Sequence, residues 1–200
     1  MNYLAHLYLS GDNDEVQLGN FIGDSVKGCN FERFPDMMRK GIILHRQIDS
    51  FTDNHKLYRV SSNRFKSHYH KHSGVITDIL YDHFLSKNWH LYSEIPVESY
   101  IRNIYVLAVY YHNILPERVK KFLPFMITKN WLGTYSTLEG IESIFERMSK
   151  RTSLPAEYEF AMRIINEKYD DLNEEFIIFF DDLISFVNDK FDLGIKKRGM

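Results

Sequence analysis

Apolar residues recur at three- and four-residue spacing along almost the whole chain. Val75, Ile79, Leu80 and Phe84 make one such stripe, and Ile164, Ile165, Tyr169, Leu172 and Phe176 make another. That period belongs to a helix with one buried face, whereas alternating stretches bounded by Asn-Gly or Asp-Gly turns, the signature of hairpins, are missing from the sequence. Breaks at 11–13, 28–30, 72–74, Pro96, Pro116, Gly133 and 154–155 divide the chain into about eight helical segments joined by short loops. There is no internal repeat and no linker rich in Pro, Gly or Ser. The expectation is an all-α fold, one multi-helix domain over residues 1–200, with Lys196, Lys197 and Arg198 as a frayed tail. With 44% hydrophobic residues, 15% aromatic, and only ten glycines and five prolines, the chain has the material for a real core, which excludes collagen-like, low-complexity and disordered chains.

Several kinds of chemistry are excluded next. Cys29 is the single cysteine, so neither an intramolecular disulfide nor a cysteine-caged zinc can form, and it reads as a free thiol without a catalytic partner. A net charge of −2 argues against a nucleic-acid binder. Residues 1–10 lack the basic start of a signal peptide. The longest apolar runs, such as 105–111, fall far short of the roughly 20 residues that cross a bilayer, so a cytoplasmic protein with no membrane span is expected. Walker-type phosphate loops, G-x-G-x-x-G, G-x-S-x-G and H-E-x-x-H do not occur.

Histidines and aspartates carry what remains. In GIILHRQIDSFTDNH (41–55), His45, Asp49 and Asp53 stand four residues apart and would stack along one helix face with a drift of roughly 40° per step, beside the apolar Ile42, Ile43, Leu44 and Ile48. Imidazole and carboxylates on one buried face suit a divalent hydrolytic metal; a surface His–Asp pair is the other meaning of the same spacing. In GVITDILYDHFLSKNW (74–89), Asp78 and Asp82 are again four apart, with His83 adjacent, among residues that would be buried. Buried carboxylates are rare unless paired or metal-bound. Asp24 in an apolar context and His6 between Leu4 and Leu7 add two further segments, each of which alone would suit a satisfied core or capping group. Residues 54–77 contain no acid but carry Lys56, Arg59, Arg64, Lys66 and Lys71, a patch for an acidic ligand or partner, while 167–192 carries nine acids, read as a solvated face.

Four blocks in order, MNYLAHLYLS, GNFIGDSVKG, GIILHRQIDSFTDNH and GVITDILYDHFLSKNW, followed by the fainter MITKNWLGTY and GIESIFERMSKRT, resemble the acyl carrier protein phosphodiesterases over about residues 1–150. The resemblance implies a divergent HD-domain-like helical bundle and a cytoplasmic, metal-dependent phosphodiesterase. Its reaction would release 4′-phosphopantetheine from holo acyl carrier protein to leave the apo form, with manganese, or else magnesium, as the ion. The matching polar positions are His6, Asp24, His45, Arg46, Asp49, Asp53, His55, Asp78, Asp82 and His83, although no adjacent His-Asp pair, the HD signature, occurs in this chain. Within that frame His45, Asp49, Asp24 and Asp78 are expected to hold the metal, and Asp24, Arg46, Asp82 and His83 to serve the chemistry. His6, Asp53 and His55 are expected to support them from behind. The basic residues of the 54–77 stretch would then steer an acidic carrier protein into place. The oligomeric state is left open. Two alternatives stand beside this reading: a related phosphohydrolase acting on a nucleotide or another small phosphoester, and a non-catalytic helical module that binds an acidic protein.

Overall fold

The computed structural model describes residues 1–198, and among these it contains eleven α-helices and no strand. They are α1 (Tyr3–Tyr8), α2 (Asp14–Phe21), α3 (Asp36–Asn54), α4 (Lys56–Asn63), α5 (Lys66–Tyr69), α6 (Ser73–Lys87), α7 (Val97–Tyr110), α8 (Glu117–Thr128), α9 (Leu138–Arg151), α10 (Tyr158–Glu167) and α11 (Tyr169–Phe191). The all-α expectation holds. The count exceeds eight because the chain also breaks at His55, Phe65 and Lys168, where no Gly or Pro marks the turn.

Helix α6 is the centre. Ile76, Ile79, Leu80, Tyr81, Phe84 and Leu85 are all buried, on every side of the helix, and α1, α4, α9 and α11 pack around it. An all-round apolar helix of this kind is stable only when enclosed. The long α11 brings Phe176 and Phe179 against it, with Tyr81 edge-on to Phe176 at 5.3 Å. To one side α2 and α3 form the most intimate helix pair in the molecule. A Cβ on Gly19 would lie 2.1 Å from the Met38 carbonyl oxygen, and one on Gly41 would lie 2.2 Å from that of Val16. Only hydrogen fits at either place, so these backbones touch.

Helix α1 has six residues, too few to be stable by itself. It is held by its N-terminus. The Asn2 side chain accepts the Tyr3 N–H at 2.9 Å, while the two oxygens of Asp82 accept the N–H groups of Leu4 (2.8 Å) and Ala5 (3.1 Å). Asp82 therefore spends its carboxylate on orphan donors at the positive end of α1. Lys196, Lys197 and Arg198, expected as a frayed tail, are tied down among the described residues. Left-handed turns at Asp192 and Gly194 fold the chain back; the Lys196 carbonyl accepts from Tyr8, the Lys197 ammonium meets Asp181 at 2.6 Å, and the Arg198 N–H donates to the Leu91 carbonyl.

Burial pushes the Asp82 carboxyl up to about 7 from an ordinary 3.8, against the downward pull of the Leu4 and Ala5 amides. Folding thus favours its protonated form, so its favourable share of stability is complete below about pH 4 and is lost as pH rises through 7. Asp82→Asn does not titrate. The stability gap between wild type and Asp82→Asn, measured by urea unfolding, is expected to narrow by up to about 4 kcal/mol between pH 4 and pH 8; a gap independent of pH would contradict this.

Candidate metal centre

The α2–α3 contact places Asn20, next to Gly19, beneath His45, which lies one turn beyond Gly41 on α3. Asn20 is fully buried. Its side-chain NH2 donates to the His6 carbonyl (2.7 Å) and to the Ser10 hydroxyl (2.9 Å), which fixes which end of the amide is oxygen. That oxygen accepts from His6 Nδ1 at 2.8 Å and lies 3.1 Å from His45 Nδ1, which also donates to the Asn20 main-chain carbonyl at 2.9 Å. One residue therefore fixes two imidazoles. Their rings stack with centroids 4.0 Å apart and planes 17° apart. Gly23 makes room for them: a Cβ there would sit 2.3 Å from His45 Cγ.

With both Nδ1 atoms committed as donors, both Nε2 atoms turn the same way. His6 Nε2 is 3.2 Å from Asp49 Oδ1; His45 Nε2 is 3.3 Å from Asp49 Oδ2 and 3.2 Å from Asp24 Oδ1. His6 Nε2 is buried and makes no aligned hydrogen bond. Burial, reinforced by the neighbouring His45, lowers its pKa to about 4, so the ring is neutral near pH 7. Burial by itself would raise the Asp49 carboxyl, but the two imidazoles and the Met1 amino group outweigh it and hold it down at about 2. A neutral imidazole nitrogen thus faces an ionised carboxylate with a lone pair on each side. Such a pair calls for a proton, a bridging water or a cation between them. The atoms of His6, His45 and Asp49 all lie within 4.8 Å of one another, and nitrogen plus carboxylate oxygen suits a divalent ion of the manganese or zinc type. An Nδ1–H pinned by a carbonyl oxygen is also the usual support behind a metal-binding histidine. On both counts the residues fit a cation.

The other predicted site residues divide. Asp24 is beside His45, with its side chain 75% exposed at the mouth, and is held below its ordinary pKa chiefly by the His45 hydrogen bond. Asp78 is not in the group: its Oδ1 accepts from the Tyr58 hydroxyl at 2.9 Å and pairs with the Met1 amino nitrogen at 3.1 Å. Arg46 donates to the carbonyls of Val26 (2.9 Å) and Gly28 (2.7 Å) and lies over Phe31, tying down the loop that carries Asp24. Asp82 is the cap of α1. His83 has both nitrogens occupied, Nδ1 donating to the Tyr135 carbonyl (2.7 Å) and Nε2 accepting from the Tyr169 hydroxyl (2.9 Å). His55 turns to Asp182 on α11 at 3.2 Å, and Asp53 is exposed. In the basic stretch, Lys56, Lys66 and Lys71 are exposed. Arg64 is locked to Glu175 by two 2.6 Å bonds, and Arg59 donates to the Asp53 carbonyl and the Asn54 side chain.

His6, expected only to support a metal from behind, has its Nε2 in the group itself. Asn20 was not among the expected site residues. The available signal was that Asn20 stands between Gly19 and the apolar Phe21 and Ile22, where a polar side chain needs partners.

A sequence model of the family described as acyl carrier protein phosphodiesterase matches residues 1–183. Among curated relatives, the acyl carrier protein phosphodiesterase of Yersinia enterocolitica is 28% identical over 191 residues, spanning 95% of this chain and 99% of that one. The Photorhabdus laumondii protein of the same name is 30% identical over 184 residues, spanning 90% and 91% respectively. No solved structure matches. Among the described residues no helix is long and apolar enough to cross a membrane.

The Asn20 arrangement has a direct spectroscopic consequence. In metal-free protein at pH 7, nitrogen-15 NMR is expected to show His6 as the neutral Nδ1–H tautomer, the minor form of free histidine. Asn20→Leu is expected to abolish that preference, and an Nε2–H signal for His6 in the wild type would overturn the assignment.

Proposed function

The chain belongs to the acyl carrier protein phosphodiesterase family, and on that premise we propose that it hydrolyses the phosphodiester joining 4′-phosphopantetheine to a serine of holo acyl carrier protein. The cofactor would be a divalent cation, manganese or magnesium, held by His6, His45 and Asp49. The observation that carries this reading is the pair of Nε2 atoms aimed at an ionised Asp49. A divalent ion in that position supplies Lewis-acid polarisation of a phosphoryl oxygen and makes water more acidic.

The protein's own groups do the rest. Asn20 keeps both imidazoles in the tautomer that offers Nε2. Asp24, exposed beside His45, is placed to take a proton from the attacking water. Water oxygen bonds to phosphorus, the phosphorus–serine oxygen bond breaks, and a proton passes to the serine oxygen, giving apo carrier protein and 4′-phosphopantetheine. Arg46 acts through the 26–28 loop, keeping Asp24 in position rather than touching substrate. In this reading Asp78 supports the N-terminus and Tyr58 instead of ligating metal, and Asp82 and His83 build the frame. Lys56, Lys66 and Lys71 remain available to an acidic carrier protein, since Arg64 is consumed by Glu175.

Intact-mass spectrometry of holo acyl carrier protein, incubated with the protein and manganese, is the test. Loss of the 4′-phosphopantetheine mass, blocked by a chelator, is expected. His6→Ala and Asp49→Asn should each lower turnover at least about 100-fold, beyond the usual cost of losing only a supporting partner, while Asp78→Asn stays within about tenfold of wild type. Tight binding of holo carrier without release, at any divalent ion, would point to a binding module instead.

A further inference from the structure

We propose that Tyr3 and Arg118 form an anion grip beside the His6–His45–Asp49 group, holding the non-bridging oxygens of the substrate phosphodiester. The proposal rests on the phosphodiesterase reading and deepens it.

Tyr3 lies one helical turn before His6 on α1, at the i, i+3 spacing that puts two side chains on the same side. Its ring is wedged between Phe21 at the end of α2 (5.7 Å) and Phe122 of α8 (6.4 Å), and these two meet edge-on at 6.3 Å. Phe21 is three residues before Asp24. Arg118 precedes Phe122 by four residues, hence sits on the same face of α8 as the ring against Tyr3, and it is exposed. Three elements thus converge on the Tyr3 phenol: the α1 turn leading to His6, the α2 end leading to Asp24, and the α8 face carrying Arg118. Electrostatics agrees with the geometry. Burial raises the phenol pKa most, the Asp24 carboxylate raises it further, and the Arg118 guanidinium lowers it, as expected of a hydroxyl within reach of both charges.

Neither group has another task. Among the described residues the Tyr3 hydroxyl makes no hydrogen bond, although its ring is packed on two sides, and Arg118 makes neither an ion pair nor a hydrogen bond. A phosphodiester needs such groups. It brings one negative charge toward Asp49 and Asp24, which repel it, and presents two oxygens that accept hydrogen bonds. Arg46, the cation nearest in sequence to the metal group, is committed to the Val26 and Gly28 carbonyls. A guanidinium fork and a phenol O–H are suited donors for phosphate oxygens.

The test uses the full chain with manganese and four variants: Tyr3→Phe, Arg118→Gln, Arg118→Lys and the Tyr3→Phe/Arg118→Gln double. Release of 4′-phosphopantetheine is followed by intact mass, bound manganese by elemental analysis, thermal midpoint by circular dichroism, and affinity for inorganic phosphate by calorimetry. Loss of one hydrogen bond to a charged group predicts a fall of about 10- to 100-fold in kcat/KM for each of Tyr3→Phe and Arg118→Gln. Manganese content and thermal midpoint should be unchanged, and phosphate affinity should weaken in parallel. Arg118→Lys should recover part of the loss. The double variant should lose less than the product of the singles, because both donors hold one group. Wild-type kcat/KM in both single variants overturns the grip, as does a loss that accompanies lowered manganese content or thermal midpoint. Should the wild type release nothing from holo carrier, the phosphodiesterase reading falls on its own. Phosphate affinity then decides the grip: weaker binding in the variants sustains it and equal binding overturns it.

Discussion

Everything at the candidate centre depends on how closely two backbones approach. Gly19 and Gly41 let α2 and α3 come together until main-chain oxygens occupy the space that a methyl group would fill. Only at that separation can both the side chain and the main-chain carbonyl of Asn20 reach His45 Nδ1. An alanine at either glycine would push the helices apart, and the first interactions lost would be these hydrogen bonds. Gly23 extends the same constraint to the next turn, where it leaves a flat surface for the His45 ring. The glycines thus determine the site indirectly: they are packing residues whose consequence is chemical.

The electrostatic arrangement that follows is unfavourable in isolation. Two imidazoles stacked at 4.0 Å turn their Nε2 atoms toward carboxylate oxygens that lie 3.2–3.3 Å away, and the His6 ring, neutral near pH 7, puts a lone pair there. The His6 nitrogen is moreover shielded from water, so solvent cannot compensate. Leaving a buried polar atom unpaired costs about 1–3 kcal/mol, and the surrounding structure must over-determine the geometry for it to persist. Asn20 does so from below, with five hydrogen-bonding contacts to His6, His45 and Ser10. Imidazole nitrogen and carboxylate oxygen brought together in this way suit a cation.

Much of this could be read from the chain, but unevenly. The i, i+4 spacing of His45 and Asp49 survives into the structure because both lie in one helix, where spacing fixes direction. Asp78 and Asp82 were legible as carboxylates in an apolar helix that needed partners. What spacing could not show was which partners: the Met1 amino group and Tyr58 for one, the amides of Leu4 and Ala5 for the other. His83 looked reactive beside Asp82, yet neighbours on a helix point about 100° apart, and its ring reaches Tyr135 and Tyr169 instead. The role of His6 was hidden for a related reason. Its partners lie 14 and 43 residues away in sequence and meet it only after α1 docks. The helix breaks at Phe65 and Lys168 and the anchored tail were missed because tertiary contacts, not turn residues, produce them.

The position of His6 also links the stability of one short helix to the chemistry. Six residues cannot form a helix unaided, so α1 exists because Asp82 and Asn2 satisfy its first donors and because α6 and α2 enclose its apolar side chains. Opening α1 alone would remove His6 from the group while leaving His45, Asp49 and Asp24 on elements held elsewhere. A cation bound by all three groups must therefore favour the docked state of α1 over the open one, by the difference in affinity between the complete and the incomplete site. Conversely, any loosening of α1 lowers affinity for the cation by the fraction of molecules in which it is open. Tyr3 rides on the same helix. In the proposed arrangement, docking of α1 completes the candidate cation site and delivers the phenol toward Arg118 in a single step, which would couple the two halves through a segment one and a half turns long.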